Sequence, residues 1–296
     1  MFFQAVGNRR GLGENISHGH GSRGQTEGRQ GVSTAEFVSR GAVRLAYESA
    51  GVGDPAMIFV HGWSCDRSYF AQQFGYFASD HAVAAMDLRG HGDSSWPDPA
   101  PGSYDIETLA EDVLAVIEAA GFNSPVVVGH SLGALVGLAC AVRPEAVRAL
   151  LMIDPAPITN EAVKAYLRES FDAVNADHDR SWRTAFVNGM FLPTDVAGRA
   201  AIIQRMPELS PGIAAAVIRA MGEFDGASAL AKVNVPVLAI GSAVPTNESA
   251  DLRSVCPGIT IGQTVGAGHF NQLEVPEQVN AMIEKFMAIN HMSPRT

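Results

Sequence analysis

Hydrophobic and polar residues follow two alternating patterns along most of the chain. Short runs rich in β-branched and other apolar residues alternate with longer stretches in which apolar residues recur every three or four positions. This alternation is typical of an α/β fold in which helices cover both faces of a mostly parallel sheet. Eight strands are predicted, at residues 36–39, 44–49, 56–60, 82–86, 126–128, 149–153, 235–240 and 259–263.

Two predicted helices differ in how they would contact this sheet. Residues 105–120 carry one apolar stripe between a potential capping residue, Asp105, and Gly121, which predicts a helix that covers one sheet face. Residues 132–142 are almost all small or apolar, so we expect a buried helix that lies close against the strands.

The stretch between the sixth and seventh strands has helical patterns and no strand pattern. We interpret residues 156–225 as a helical cap inserted into a core domain formed by residues 35–155 and 226–291. Residues 1–34 are glycine-rich and polar without periodicity, which predicts a flexible N-terminal extension, and residues 292–296 form a short tail. Two histidines in the extension, His18 and His20, are too few to indicate a metal site.

The composition narrows the function classes. A formal charge of −10 over 296 residues argues against a nucleic-acid partner, because phosphate binding needs clustered cations. No run approaches the roughly 18 consecutive apolar residues of a membrane span, and no secretory leader is recognised. Three scattered cysteines form no disulfide framework. We therefore expect a cytoplasmic protein with a small-molecule partner and no membrane partner, and leave a homo-oligomer open.

The clearest chemical signal is a serine in a glycine-flanked turn. The apolar run at residues 126–128 leads into Gly-His-Ser-Leu-Gly at residues 129–133, which opens the small-residue helix. In a strand-turn-helix context, G-x-S-x-G is typical of a nucleophile elbow, where small neighbours tolerate the strained backbone of the serine. The helix N-terminus also favours negative charge near the hydroxyl. Ser131 is therefore the predicted nucleophile.

Two further motifs connect the elbow with a known family. The strand at residues 56–60 runs into His61-Gly62-Trp63, and residues 87–94 read Asp-Leu-Arg-Gly-His-Gly-Asp-Ser. Over roughly residues 36–287, the chain resembles the α/β-hydrolase superfamily. The resemblance implies an oxyanion hole formed by the backbone N–H groups of Trp63 and Leu132. It also implies a mechanism that needs neither cofactor nor metal. We interpret His61 as a structural histidine that holds the loop, with direct catalysis as the alternative.

The resemblance also locates a base. Members of this superfamily carry their catalytic histidine in the loop after the last strand, where small residues let the imidazole reach the nucleophile. Residues 265–270 read Val-Gly-Ala-Gly-His-Phe, so His269 fits that position. The alternative is an ordinary surface-loop histidine.

The position of the catalytic acid differs from that in most members of the superfamily. Most relatives place it shortly after the seventh strand, but residues 241–247 contain no carboxylate, and Glu248 and Asp251 lie further along. In one branch of the superfamily the acid instead ends the sixth strand, and Asp154 occupies that place, 23 residues after Ser131. A carboxylate there can still orient the imidazole. The acid is thus predicted to be Asp154, with Glu248, Asp251 or a Ser-His dyad as alternatives.

These features predict a serine hydrolase of small, fairly apolar carboxylic esters or lactones that works through an acyl-enzyme. One alternative is a carbon-carbon bond hydrolase, although such relatives usually have a Gly-Asn-Ser-Met-Gly elbow. The other is a non-catalytic ligand receptor with the same fold. Seven residues are candidates for the substrate pocket: His61, Trp63, His130, Trp182, Phe186, Met190 and Phe270.

Overall fold

The fold is built on one eight-stranded sheet, seen in a computed structural model that describes residues 35–193, 199–206 and 209–292. The strands are β1 (Glu36–Arg40), β2 (Val43–Ala50), β3 (Met57–Val60), β4 (Val83–Met86), β5 (Val126–His130), β6 (Ala149–Ile153), β7 (Val237–Gly241) and β8 (Thr260–Gln263). Their order is β1-β2-β4-β3-β5-β6-β7-β8. The two pairs that contain β2 are antiparallel and all others are parallel. The predicted mostly parallel α/β sheet is confirmed.

Helices cover both faces of this sheet. One face carries α1 (Ala71–Phe77) and α12 (Pro276–Ile289), whose residues Phe77, Ile283 and Phe286 are buried against the strands. The other face carries α2 (Ile106–Ala119) and α3 (Leu132–Ala141). The central strands β3 to β6 are buried at every residue, which explains why they have continuous apolar sequences rather than alternating ones.

The two helices predicted in detail are present. Every residue of α3 is buried, and Gly137 lets it lie close to the sheet, since an added Cβ there would stand 2.9 Å from side-chain atoms of Val127 and Leu150. Asp105 precedes α2, but the expected side-chain cap is wrong. Its carboxylate is exposed to solvent and makes no capping hydrogen bond, while its backbone carbonyl accepts one from the N–H of Leu109 at 3.0 Å.

Helices fill the stretch between β6 and β7. They are α4 (Glu161–Glu169), α5 (Phe171–Asn175), α6 (Ser181–Asn188), α7 (Arg199–Arg205), α8 (Pro211–Glu223) and α9 (Gly226–Leu230). Helix α8 packs against α4 and α5. A buried ion pair supports α6, because Arg183 Nε lies 2.8 Å from Asp177 Oδ2. The stretch is helical as expected, and the boundary of the cap at residues 156 and 225 stays a prediction.

Two shorter helices complete the described core, α10 (Ser249–Val255) and α11 (Asn271–Glu274). None of the helices described is long and apolar enough to cross a membrane. In the same residues, no group of three or more His, Cys, Asp and Glu side chains could hold a metal ion. Cys65, Cys140 and Cys256 form no disulfide with one another. The predicted N-terminal extension, with His18 and His20, lies outside the described residues.

Candidate active site

Ser131 lies in the sharp turn between β5 and α3. Its φ of 52° and ψ of −113° are unusual for a residue other than glycine, as a nucleophile elbow requires. The flanking glycines are needed for close packing, because a Cβ on Gly129 would lie 2.2 Å from the carbonyl oxygen of Gly133, and one on Gly133 would lie 2.0 Å from that of Val60. Backbone hydrogen bonds hold the turn, including one of 3.0 Å from the N–H of Ser131 to the carbonyl of Ile153.

Asp154 and His269 meet in the loops that follow β6 and β8. The Nδ1 atom of His269 lies 2.6 Å from Asp154 Oδ2, and the other carboxylate oxygen accepts the backbone N–H of Ser242 at 2.9 Å. Asp154 is only 1% exposed. Its two oxygens thus each hold one hydrogen bond, and one of them orients the imidazole.

His269 lies directly beside the elbow. The ring centroids of His269 and His130, the residue before the nucleophile, are 4.8 Å apart. No hydrogen bond is formed between the Ser131 hydroxyl and His269 in the part of the chain that the structure describes. Such a bond is often long in the absence of substrate and tightens when one binds. The elbow, the imidazole and the carboxylate form one cluster at the carboxyl ends of the parallel strands.

The alternative acids lie away from this cluster. Glu248 and Asp251 are both exposed to solvent. The turn after β7, where relatives place the acid, instead supplies the Ser242 N–H that binds Asp154. The geometry therefore joins His269 to Asp154 and to neither alternative.

Asn247, which the sequence analysis did not identify, stabilises the loop after Asp154. It is buried, and its amide makes four hydrogen bonds of 2.7 to 3.1 Å to that loop. Its Oδ1 accepts the N–H groups of Ile158 and Thr159, and its Nδ2 donates to the carbonyls of Pro155 and Ala156. The one available signal was a polar, uncharged residue near the place where relatives have an acid.

The loop after β3 passes close to Ser131, since an added Cβ on Gly62, the residue before Trp63, would lie 3.2 Å from Ser131 Cβ. The backbone N–H of Trp63 donates to no backbone carbonyl among the residues described. Leu132 is the first residue of α3, where an N–H has no partner within the helix. Both groups are therefore candidates to bind an oxyanion. The indole Nε1 of Trp63 donates to the carbonyl of Ala214 in α8 at 3.1 Å, which ties this loop to the cap.

Two buried histidines hold the loop that carries Trp63. The Nε2 atom of His61 accepts the N–H of Leu88 at 3.1 Å, and that of His91 accepts the N–H of Ser64 at 3.2 Å. Burial lowers the pKa of His91 to about 3, with further lowering from His61. These contacts match the interpretation of His61 as a structural residue. His91 belongs to the 87–94 motif, whose polar groups we expect to brace the loop rather than to react, and its contact reaches the loop after β3.

The candidate pocket residues fall into two groups. Trp182, Phe186 and Met190 are partly exposed, and the first two stack with ring centroids 5.0 Å apart. By contrast, four of the candidates are buried and present almost no accessible surface: His61, Trp63, His130 and Phe270. Their rings pack beneath the loops and the cap, and the part that these four side chains play in lining a pocket stays a prediction. Trp63, for example, contacts the edge of Phe186 with ring centroids 5.6 Å apart.

A sequence model described as the alpha/beta hydrolase family matches residues 57–282. The chain is 28% identical over 254 residues to 3-oxoadipate enol-lactonase 2 of Acinetobacter baylyi, covering 83% of this chain and 93% of that protein. It is 26% identical over 248 residues to karrikin insensitive 2 receptor IA of Petunia hybrida, covering 77% and 88%. The solved enol-lactonase from Burkholderia xenovorans has the same fold, with a TM-score of 0.73, 19% identity, and coverage of 86% and 100%.

Proposed function

The chain belongs to the alpha/beta hydrolase family, and we propose that it is a serine hydrolase of small, fairly apolar carboxylic esters or lactones. The observation that carries this proposal is the 2.6 Å contact between His269 and Asp154 beside the elbow that presents Ser131. A nucleophile, a base and a carboxylate that orients the base are the parts that acyl transfer through an acyl-enzyme requires.

In the proposed cycle, His269 donates its Nδ1 hydrogen to Asp154, which leaves Nε2 free to take the proton of Ser131. The serine oxygen attacks the substrate carbonyl, and the N–H groups of Trp63 and Leu132 stabilise the resulting oxyanion. Protonated His269 then gives its proton to the leaving alcohol. Water, activated by His269, attacks the acyl-enzyme, releases the acid and restores Ser131. For a lactone, the leaving alcohol stays attached to the acyl group.

The environment of Asp154 supports its proposed role. A buried carboxylate next to the imidazole stabilises the imidazolium that forms in the transition state. The Ser242 N–H holds the carboxylate from its far side, so that Oδ2 stays directed at His269. Neither Glu248 nor Asp251, both exposed, offers such a contact.

The cap supports an apolar substrate. Trp182 and Phe186 form a stacked pair. Phe186 also packs against the ring of Trp63, whose backbone N–H belongs to the proposed oxyanion hole. We propose that Trp182, Phe186 and Met190, the partly exposed members of the candidate set, form the pocket wall. The buried candidates would then support that wall from behind.

The test is turnover by the purified protein on nitrophenyl esters, lactones and vinylogous diketones. Ser131→Ala should lower kcat on short acyl esters by about 10⁴-fold or more, since it removes the nucleophile. A matched control is Ser254→Ala, which removes an exposed hydroxyl bonded to the Asp251 carbonyl and should leave kcat unchanged. Ester turnover that persists in Ser131→Ala, or activity on diketones alone, contradicts the proposal.

A ligand receptor is the second candidate, favoured by the similarity to the receptor of Petunia hybrida. If the protein is a receptor that reacts once, it should release a burst of about one equivalent of nitrophenol per protein and then stop. A hydrolase should continue to release nitrophenol at a steady rate. The ratio of burst amplitude to steady-state rate therefore separates the two functions.

A further inference from the structure

His130, the residue before the nucleophile, contacts the backbone of His269. It is fully buried, and its Nε2 atom lies 2.8 Å from the carbonyl oxygen of His269. A carbonyl oxygen can only accept, so Nε2 carries the hydrogen and donates it. The same ring packs against Phe270, with centroids 5.6 Å apart. A side chain of the elbow thus holds the loop that carries the base.

The opposite edge of the His130 ring faces the loop after β3. A Cβ on Gly62 would lie 2.8 Å from His130 Nδ1 and 3.2 Å from Ser131 Cβ, so the ring fits only because residue 62 is glycine. Within the part of the chain that the structure describes, Nδ1 has no hydrogen-bond partner. Burial, together with the nearby His269, lowers the pKa of His130 well below its usual value, so the ring stays neutral. The imidazole therefore acts as a neutral spacer between Gly62 and His269.

The other polar groups of His269 are held by different elements. Its backbone N–H donates to the carbonyl of Met190, which follows α6, at 3.1 Å, and its Nδ1 contacts Asp154. With His130 bound to its carbonyl, His269 is restrained at three points. The His130 contact is the restraint that comes from the nucleophile's own turn, so it sets the spacing between Ser131 and His269 most directly.

We propose that His130 is a positioning residue, whose Nε2–H holds the His269 loop at the spacing that lets the imidazole take the serine proton. The inference rests on the proposed function, because it assigns His269 the role of base. Displacement of a catalytic group by about 1 Å can cost on the order of 100-fold in rate. Loss of this contact should therefore affect the chemical step more than substrate binding.

The experiment compares three variants of His130. His130→Gln keeps a donor at about the reach of Nε2, His130→Asn places its donor too close to the main chain, and His130→Leu has none. We expect His130→Asn and His130→Leu to lower kcat on nitrophenyl butyrate about 10- to 100-fold with KM changed less than about threefold. His130→Gln should restore kcat to within about fivefold of the wild-type protein.

A matched control is His81→Leu, since His81 is another buried histidine bonded through Nδ1 to a backbone carbonyl, that of Pro55, 2.8 Å away. It should lower the melting temperature and leave kcat per folded molecule unchanged. The fraction of folded protein is measured by circular dichroism and urea titration. Should His130→Leu not fold, the Asn and Gln variants, both polar and of similar size, decide the matter.

The outcomes also separate this inference from the proposed function. Wild-type kcat in His130→Asn, or equally low kcat in His130→Gln and His130→Asn, overturns the positioning role. If Ser131→Ala is inactive at the same time, the proposed function stands and only the role of His130 fails. Turnover that persists in Ser131→Ala overturns the proposed function itself.

Discussion

The two sides of Ser131 both depend on histidines, in opposite ways. On one side, His269 donates a hydrogen to the carboxylate of Asp154. On the other, His61 and His91 accept backbone N–H groups through Nε2. The first side suits an imidazole that gains and loses protons, and the second suits imidazoles that stay neutral. The partner of each ring nitrogen thus separates a proposed base from a structural residue.

The largest effect on activity is expected on the side of Ser131 that holds His269 and Asp154. Asp154→Asn keeps the shape of the side chain but removes its charge, so it no longer stabilises the imidazolium or the productive tautomer. We expect kcat to fall on the order of 10³- to 10⁴-fold, measured by initial rates on nitrophenyl butyrate, with little change in folding.

Glu248→Gln is the control for this variant, because Glu248 is the exposed alternative acid. It should retain kcat within about twofold, as surface substitutions usually do. The assignment of Asp154 is wrong if its Asn variant stays near the wild-type rate while Glu248→Gln abolishes turnover.

An intermediate effect is expected from Asn247, which supports the loop behind Asp154. Asn247→Ala removes four hydrogen bonds and leaves the buried N–H of Ile158 without its partner. The free energy of unfolding should fall by about 2–4 kcal/mol, measured by urea denaturation. Asn290→Ala, which removes one hydrogen bond to Phe286 at the end of α12, is the comparison and should cost under about 1 kcal/mol. If the free energy of unfolding falls equally in the two variants, the four Asn247 hydrogen bonds stabilise the protein no more than the single bond of Asn290.

The third effect concerns His91, on the side of Ser131 that holds the proposed oxyanion hole. Over any one pH unit it is the smallest of the three, because the change in stability is spread over several pH units. The pKa of His91 is lowered from 6.5 to about 3 in the folded protein, chiefly by burial and then by His61, while the Arg89 carbonyl and the Asp87 and Asp66 carboxylates oppose the lowering. The unfolded chain therefore binds more protons between these values. Stability should be full above pH 6.5, fall as the pH drops towards 3, and level off below it, with a slope of up to about 1.4 kcal/mol per pH unit.

Urea titrations of the wild-type protein and His91→Gln at several pH values measure this contribution. Because glutamine does not titrate, the variant should show a shallower loss of stability below pH 6.5. Identical pH dependence in both proteins would mean that His91 does not stay neutral on folding.

The identity of the catalytic acid could be narrowed from the sequence but not settled by it. The spacing of Asp154 from Ser131 and the absence of a carboxylate in residues 241–247 narrowed the choice to three residues and a dyad. The structure adds that Asp154 is buried at 2.6 Å from His269 Nδ1, while Glu248 and Asp251 face solvent. Its catalytic role stays a prediction, which Asp154→Asn tests. Asn247 could not be found in advance, because its four partners lie about 90 residues earlier in the chain.

The pocket shows the same limit more strongly. Aromatic residues near the motifs suggested a lining, but sequence does not tell which face of a ring is covered. Trp63 and Phe270 are buried because the cap and the loops pack over them. Trp182 and Phe186 keep exposed surface, although they lie on the same helix, α6, as the buried Arg183 and Val187.

The sheet, the covering helices and the elbow at Ser131 could be predicted from the sequence alone. These features follow from local periodicity and from glycines whose missing side chains permit close backbone contacts. The folded molecule was needed to show which carboxylate contacts His269, which buried histidines stay neutral, and that His130 joins the elbow to the His269 loop. Those relations depend on distances between residues far apart in the chain, and on burial, which shifts a pKa without leaving any local pattern in the sequence.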